Sequence, residues 1–265
     1  MNLVDYHNHT ELCGHAVGSV DDYINAAVRA GLADIGFSDH APLPEGLREG
    51  ITMYPSQTEE YIGLIEQKRN AYKDRINVKV GFEVDFPLTG AFDKKYLGDA
   101  RLDYLIGSCH YIGDWAFDHQ DNISEFDRRD IDKVYDKYYG IIEQLAAANT
   151  FNIIGHFDLV KKFGHRSKSD FTGKINSLAK LIATARNLAV EVNTAGLRKP
   201  VKEIYPSKPI IEILFKNNVP LTLGSDSHNP EEVAFHFDDA IAMIKKSGYR
   251  KISGFAKKQR YDISL

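Results

Sequence analysis

The sequence predicts an α/β fold: a distorted barrel of about seven parallel strands wrapped by helices, in one domain over residues 1–265. Three observations predict it. Strand-like and helix-like stretches alternate seven times along 265 residues, with no composition break or repeat to mark a second unit. Several strands are near-continuous apolar runs, such as Val78-Lys79-Val80-Gly81-Phe82, which suits a parallel sheet covered on both faces. Histidines and acids also recur at the C-terminal end of one strand after another, where a parallel barrel gathers its loops into a single mouth. An open doubly wound sheet is the rival architecture. No glycine-rich phosphate-cradling motif follows the first strand, which counts against a nucleotide-binding version of it.

The elements follow in order. The first strand covers about 3–10, and its alternation puts Asp5, His7 and His9 on one face. Ser19 caps a helix over 20–30, with Asp21 and Asp22 in its first turn and Gly31 at its end. The second strand is 34–40. A loop rich in Pro and Gly (41–55) leads to a helix near 57–72 whose first turn carries Glu59 and Glu60. The third strand is 78–85, followed by a short helical piece near 92–97 and the fourth strand, 104–110. Residues 112–130 are polar and aromatic, and in a barrel they form an active-site loop rather than a linker. The helix over 131–148 places Val134, Tyr138, Ile141, Ile142 and Leu145 at helical spacing. The fifth strand (152–156) precedes a helix over 172–187, and the sixth (189–193) a helix over 208–217. The seventh strand (220–226) leads to a helix over 230–246, with Pro230 in its first turn. The tail, 249–265, holds no clear eighth unit.

Composition narrows the function. A net charge of −4 leaves no basic footprint for nucleic acid and no sign of an anionic membrane partner. Two cysteines, Cys13 and Cys109, argue against a disulfide framework and fit a reducing cytoplasm. The chain enters core strand without a basic and apolar leader, and no run approaches a membrane span, so a soluble intracellular protein is expected.

The positions of the ionisable residues carry the functional reading. His7 and His9 end the first strand, His40 the second, Glu83 the third, His110 the fourth and His156 the fifth; Asp226 and His228 end the seventh. His15 lies just beyond the first strand. One buried histidine or acid is easily satisfied by an ordinary neighbour. So many converging groups would repel or stay unsatisfied unless they held metal. A divalent site takes three or four protein ligands, so this set suffices for three ions if the carboxylates bridge. His119 and His165 fall in mouth loops, where substrate contact and solvation are both open, and His236 is read as a surface residue of the last helix.

The pattern H-x-H-x5-H at His7, His9 and His15, with Ser38-Asp39-His40, Gly81-Phe82-Glu83, Gly107-Ser108-Cys109-His110, Gly155-His156-Phe157-Asp158 and Gly224-Ser225-Asp226-Ser227-His228, resembles the polymerase-and-histidinol-phosphatase (PHP) superfamily. The stretches 113–119, 158–164, 193–200 and 228–239 are most similar to its histidinol-phosphate phosphatases. Members commonly carry valine at Cys109, whose side chain is expected to face away from the metals. The resemblance implies a distorted seven-stranded barrel and a trinuclear centre. His7, His9, Glu83 and Asp226 would hold one ion, Glu83, His110 and His156 a second, and His15, His40 and His228 a third. Zinc, iron and manganese all suit such ligands.

The implied substrate is a small phosphomonoester, L-histidinol phosphate, hydrolysed by metal-activated hydroxide without a side-chain nucleophile. The resemblance gives Arg166 and Arg198 as phosphate contacts, a task that suits a guanidinium fork. Asp226, His228 and Asp39 are the alternatives for protonating the leaving group. Trp115 and Phe117 either wall the organic half of the substrate or pack in the core, and Asp118 or Asp158 would meet its amine. The rival functions are another phosphoesterase of the superfamily, acting on nucleotides or phosphotyrosine, and a non-catalytic metal-binding barrel.

Overall fold

The computed structural model describes residues 2–86, 88 and 92–265. The chain runs β1 (Val4–Asp5), α1 (Val20–Arg29), β2 (Asp34–Phe37), α2 (Thr58–Tyr72), β3 (Asn77–Asp85), β4 (Tyr104–Ser108), β5 (Tyr111–Ile112) and β6 (Trp115–Ala116). It continues as α3 (Ile131–Ala147), β7 (Ile153–Ile154), α4 (Thr172–Thr184), β8 (Ala189–Asn193), α5 (Lys208–Lys216), β9 (Leu221–Gly224), α6 (Phe237–Lys246), β10 (Lys251–Ala256) and β11 (Gln259–Ser264). Seven strands form one parallel sheet in the order β1-β2-β3-β4-β7-β8-β9. Its two edges meet. Tyr6 donates its N–H to Leu223 (3.2 Å), His9 to Ser227 (3.0 Å) and Ser227 to His7 (3.1 Å), which nearly closes the barrel.

Local chemistry sets these elements where the sequence expects them. Ser19 and Asp22 form a reciprocal capping box at the start of α1, and Gly31 (φ +71°) turns the chain out of it. Inside the barrel Tyr104 donates to the carbonyl of Tyr6 (2.7 Å). It lies so close to β3 that a Cβ at Gly81 would fall 2.6 Å from its ring. Glycine is therefore a packing requirement at that position.

Three segments depart from expectation. The tail folds into the antiparallel hairpin β10–β11, which plugs the end of the barrel opposite the strand C-termini: the N–H of Phe255 meets the Tyr6 hydroxyl (3.1 Å), and Thr222 donates to Ser253 (2.9 Å). The loop after β4 is structured as the hairpin β5–β6 and a 3-10 run over Gln120–Arg128. The last helix starts at Phe237 and not at Pro230, which begins a separate 3-10 turn, Pro230–Glu232. Between them Ala234 and His236 adopt positive φ (56° and 51°), because the chain doubles back to put the Ala234 N–H on the Asp5 carboxylate (3.0 Å). His236 thus precedes α6, half exposed and paired with Asp239 (2.6 Å). Among the described residues no helix is long and apolar enough to cross a membrane.

Candidate metal centre

The strand ends bring the predicted histidines and acids into one cluster. Glu83 on β3 is its hub. Its Oε2 lies 3.1 Å from His7 Nε2, 3.6 Å from His9 Nε2 and 3.1 Å from His40 Nδ1. Its Oε1 lies 3.5 Å from His110 Nε2 and 3.0 Å from His156 Nε2, and those two nitrogens are 3.2 Å apart. Asp226 Oδ1 stands 3.8 Å from His7 Nε2 and 3.5 Å from His9 Nε2. His15, His40 and His228 present ligand atoms within 4.8 Å of one another. His40 also groups with His9 and Glu83, so it faces two parts of the cluster.

These spacings fit metal ligation. Donors about 2.1 Å from a shared tetrahedral ion are about 3.4 Å apart. The separations among His7, His9, Glu83 and Asp226, 3.1 to 3.8 Å, bracket that value. His7 Nε2, His9 Nε2, His40 Nδ1 and His228 Nε2 are buried without a hydrogen-bond partner. Buried nitrogens are seldom left so, and divalent ions held among them would satisfy all four.

Outer partners aim the rings. Glu191 accepts from His7 Nδ1 (2.7 Å) through one oxygen and from the His156 N–H (2.8 Å) and Asn193 (3.0 Å) through the other. Asp85 holds His110 Nδ1 (2.7 Å), and the carbonyl of Cys13 holds His15 Nδ1 (3.0 Å). These contacts turn the opposite nitrogens inward, the usual support of ligating histidines. Glu191 and Asp85 were missed from sequence. Glu191 shares a strand face with Asn193, and a carboxylate inside the apolar run Ala189–Asn193 was the available signal.

The electrostatics call for cations. Among the described residues no lysine or arginine pairs with Glu83, Asp85, Glu191 or Asp226. Burial opposes ionisation of Glu83, yet His7, His40 and His110 hold it well below the ordinary carboxylate range. Asp226 likewise overcomes burial through His7, His9 and His228. Burial, reinforced by neighbouring imidazoles, pushes His9 and His40 down to about 3, which keeps them in the neutral form that binds metal. His110, against its burial, is lifted to about 10 by Asp85 and Glu83. The acids at this hub hold protons on histidine where metal charge would otherwise serve.

Around the mouth the outcome is mixed. Arg198 comes to the cluster: one guanidinium nitrogen donates to the carbonyls of Ser225 and Asp226 (2.9 Å each), Nε pairs with Glu232 (3.1 Å), and Nη1 is buried without a partner. Arg166 is half exposed and pairs with Glu203 (2.9 Å), which also holds Lys161 (2.7 Å). Lys162 is bound to Asp118 through Oδ2 (3.0 Å) and its carbonyl (2.7 Å). Asp118, whose charge acts on His110, stays at the mouth.

Other expectations are corrected by packing. Asp158 is buried against Lys161 (2.8 Å) and the Ser207 N–H (3.0 Å), and is not open to a substrate amine. Asp39 is sealed: both oxygens accept from Thr10, through its N–H and its hydroxyl, so it braces the first strand. Phe117 is fully buried against Tyr138, and Trp115 packs on Phe126 under the Arg129 guanidinium, so both belong to the core. His119 is half exposed beside Asp121, and His165 stacks on Phe126. Cys109 is buried away from the cluster, its thiol near the carbonyl of Tyr111.

A nearly closed parallel barrel with a histidine-and-carboxylate cluster at its mouth defines a class of metal-dependent hydrolases. The family model described as PHP domain matches residues 5–195, and the chain belongs to that family. A probable histidinol-phosphatase of Deinococcus radiodurans is 40% identical over 252 residues, which cover 95% of this chain and 96% of the relative. The histidinol-phosphatase of Bacillus subtilis is 26% identical over 264 residues, covering 90% and 98%. The crystal structure of the Lactococcus lactis histidinol phosphate phosphatase, complexed with zinc, L-histidinol and phosphate, matches with a TM-score of 0.81 at 22% identity, over 98% of this chain and 99% of that one. That likeness shows the shared barrel.

Proposed function

We propose that the chain hydrolyses L-histidinol phosphate to L-histidinol and inorganic phosphate, a step of histidine biosynthesis, at a divalent metal centre built on Glu83. The chemistry is carried by the inward-facing histidine nitrogens that lack any partner around the buried carboxylate of Glu83 and the partly buried one of Asp226. The substrate is supported by the histidinol-phosphatases to which the chain is similar along nearly its whole length. His7, His9, Glu83 and Asp226 would hold one ion, Glu83, His110 and His156 a second, and His15, His40 and His228 a third, with zinc, iron or manganese all suited to these donors. When bound, divalent ions would lower the pKa of water into the neutral range and offset charge on the phosphoryl oxygens.

The protein's own groups do the rest. Arg198 is braced through three of its contacts, so Nη1 is the donor left for a phosphate oxygen. Of the two acids read as partners for the substrate amine, both paired with a lysine, Asp118 is the more open, since Asp158 is buried against Lys161 and Ser207; Arg166 and Lys162 are further candidate cations for the phosphate. Asp226 and His228, 3.6 Å apart, are the alternatives for passing a proton to the leaving oxygen, since Asp39 is held by Thr10. Much of the selectivity comes from polar groups that a simpler phosphate leaves unpaired. The test compares kcat/KM of the metal-loaded protein for histidinol phosphate, a small aliphatic phosphate and a nucleoside monophosphate. A clear preference for the first is expected; equal turnover of either competitor would reduce the reading to a general phosphoesterase.

A further inference from the structure

Arg198 is held from three sides, and two of them come from one bend of the chain. One guanidinium nitrogen donates to the carbonyls of Ser225 and Asp226 (2.9 Å each), just past the end of β9. Nε pairs with Glu232 (3.1 Å). The third side is an aromatic face: the guanidinium carbon lies 5.1 Å from the ring centroid of Phe235, within reach of a cation–π contact. The Phe235 N–H donates to the carbonyl of Glu232 (3.0 Å), which fixes these two partners of the arginine relative to each other.

The bend that carries them is strained. Ala234 and His236, on either side of Phe235, both take positive φ (56° and 51°), a conformation that a Cβ disfavours. Such strain persists only where the surroundings impose it. Asp5 does so here: one carboxylate oxygen takes the Ala234 N–H (3.0 Å) and the Ser225 hydroxyl (2.6 Å), and the other takes the Ser225 N–H (2.9 Å). The bend is thereby set against the same residue whose carbonyl accepts from Arg198. The Phe235 ring is half-buried, with His236 standing across it at 4.3 Å.

We propose that Phe235 is a positioning residue whose ring holds the Arg198 guanidinium in the orientation that presents Nη1 to a phosphate oxygen. The inference rests on the reading of Arg198 as a phosphate contact. A guanidinium already seated on a ring loses less freedom on meeting an anion than one free to turn. Having to immobilise a loose arginine weakens binding about threefold to tenfold.

The test uses the metal-loaded protein, with inorganic phosphate as the probe in calorimetric titrations. Wild type is compared with Phe235→Leu, Phe235→Tyr, Arg198→Ala and the double variant Phe235→Leu/Arg198→Ala. Leucine keeps apolar bulk without a π face, and tyrosine keeps the face. Phe235→Leu should bind phosphate about threefold to tenfold more weakly than wild type, with Phe235→Tyr close to wild type. In the Arg198→Ala background Phe235→Leu should have no further effect, because the ring acts only through the arginine. Metal content and thermal midpoint should match wild type in Phe235→Leu. Phosphate binding unchanged in Phe235→Leu but weakened in Arg198→Ala would overturn the proposal alone. Equal impairment by tyrosine and leucine would also overturn it, as would a leucine effect that persists in full without Arg198. So would a Phe235→Leu protein that loses its metal or fails to fold, since the ring would then be core. Phosphate binding untouched by Arg198→Ala would remove Arg198 as a phosphate contact, and this role of Phe235 with it.

Discussion

Replacing Glu191 with glutamine removes one charge and changes one acceptor into a donor, and both effects reach the cluster from behind. In the native protein one carboxylate oxygen takes His7 Nδ1 (2.7 Å) and the other takes the His156 N–H (2.8 Å) and Asn193 (3.0 Å). An amide can satisfy only one side; its NH2 must face a donor on the other. Reorientation is blocked, because β9 packs so closely that a Cβ at Gly224 would sit 2.0 Å from Glu191 Oε1. Loss of a charged hydrogen bond costs about 1.5–3 kcal/mol. Delivered through His7, this weakens metal affinity about tenfold to a hundredfold, the usual effect of losing such a supporting contact. Competition with a chelating indicator measures it, with circular dichroism as a check on the fold. Wild-type metal affinity in a folded Glu191→Gln protein would refute the account of how the rings are aimed.

Other perturbations separate the parts of the site. Glu83→Gln should lose both metal and turnover, because an amide bridges cations poorly; elemental analysis and phosphate release check both. Arg198→Ala should retain its metal and raise the inhibition constant for phosphate by an amount equivalent to about 1.5–3 kcal/mol. Ser19→Ala, which breaks the capping box of α1, should cost about 1 kcal/mol in denaturant unfolding and leave metal content unchanged. Both thiols should resist a disulfide reagent at pH 8 until the protein unfolds. Burial, aided by Asp39, lifts Cys13 to about 12, and burial lifts Cys109 likewise, so neither forms the reactive thiolate below that range.

What the sequence made legible was whatever depends on strand alternation and on position along a strand. His7, His9, Glu83, His110 and His156 could be placed at one mouth because parallel strands end together. The barrel followed from the same pattern. Contacts between distant segments were not legible. Asp158 read as a mouth acid, but Lys161, three residues on, and Ser207 bury it. The bond between Lys162 and Asp118 joins residues 44 apart in sequence, and no periodicity encodes that. The break between Pro230 and α6 follows from the tie between Ala234 and Asp5, residues 229 apart in sequence. Trp115 and Phe117 show a third kind of gap, since aromatic residues in a mouth loop read equally as substrate wall or core.

The most direct test of the central claim is a metal titration of chelator-stripped protein, following phosphate release from L-histidinol phosphate as each equivalent of zinc or manganese is added. No turnover is expected in the stripped protein, with activity rising to a plateau near three equivalents per chain. Undiminished turnover by protein shown to contain no metal, or no turnover of histidinol phosphate at any metal loading, would contradict it.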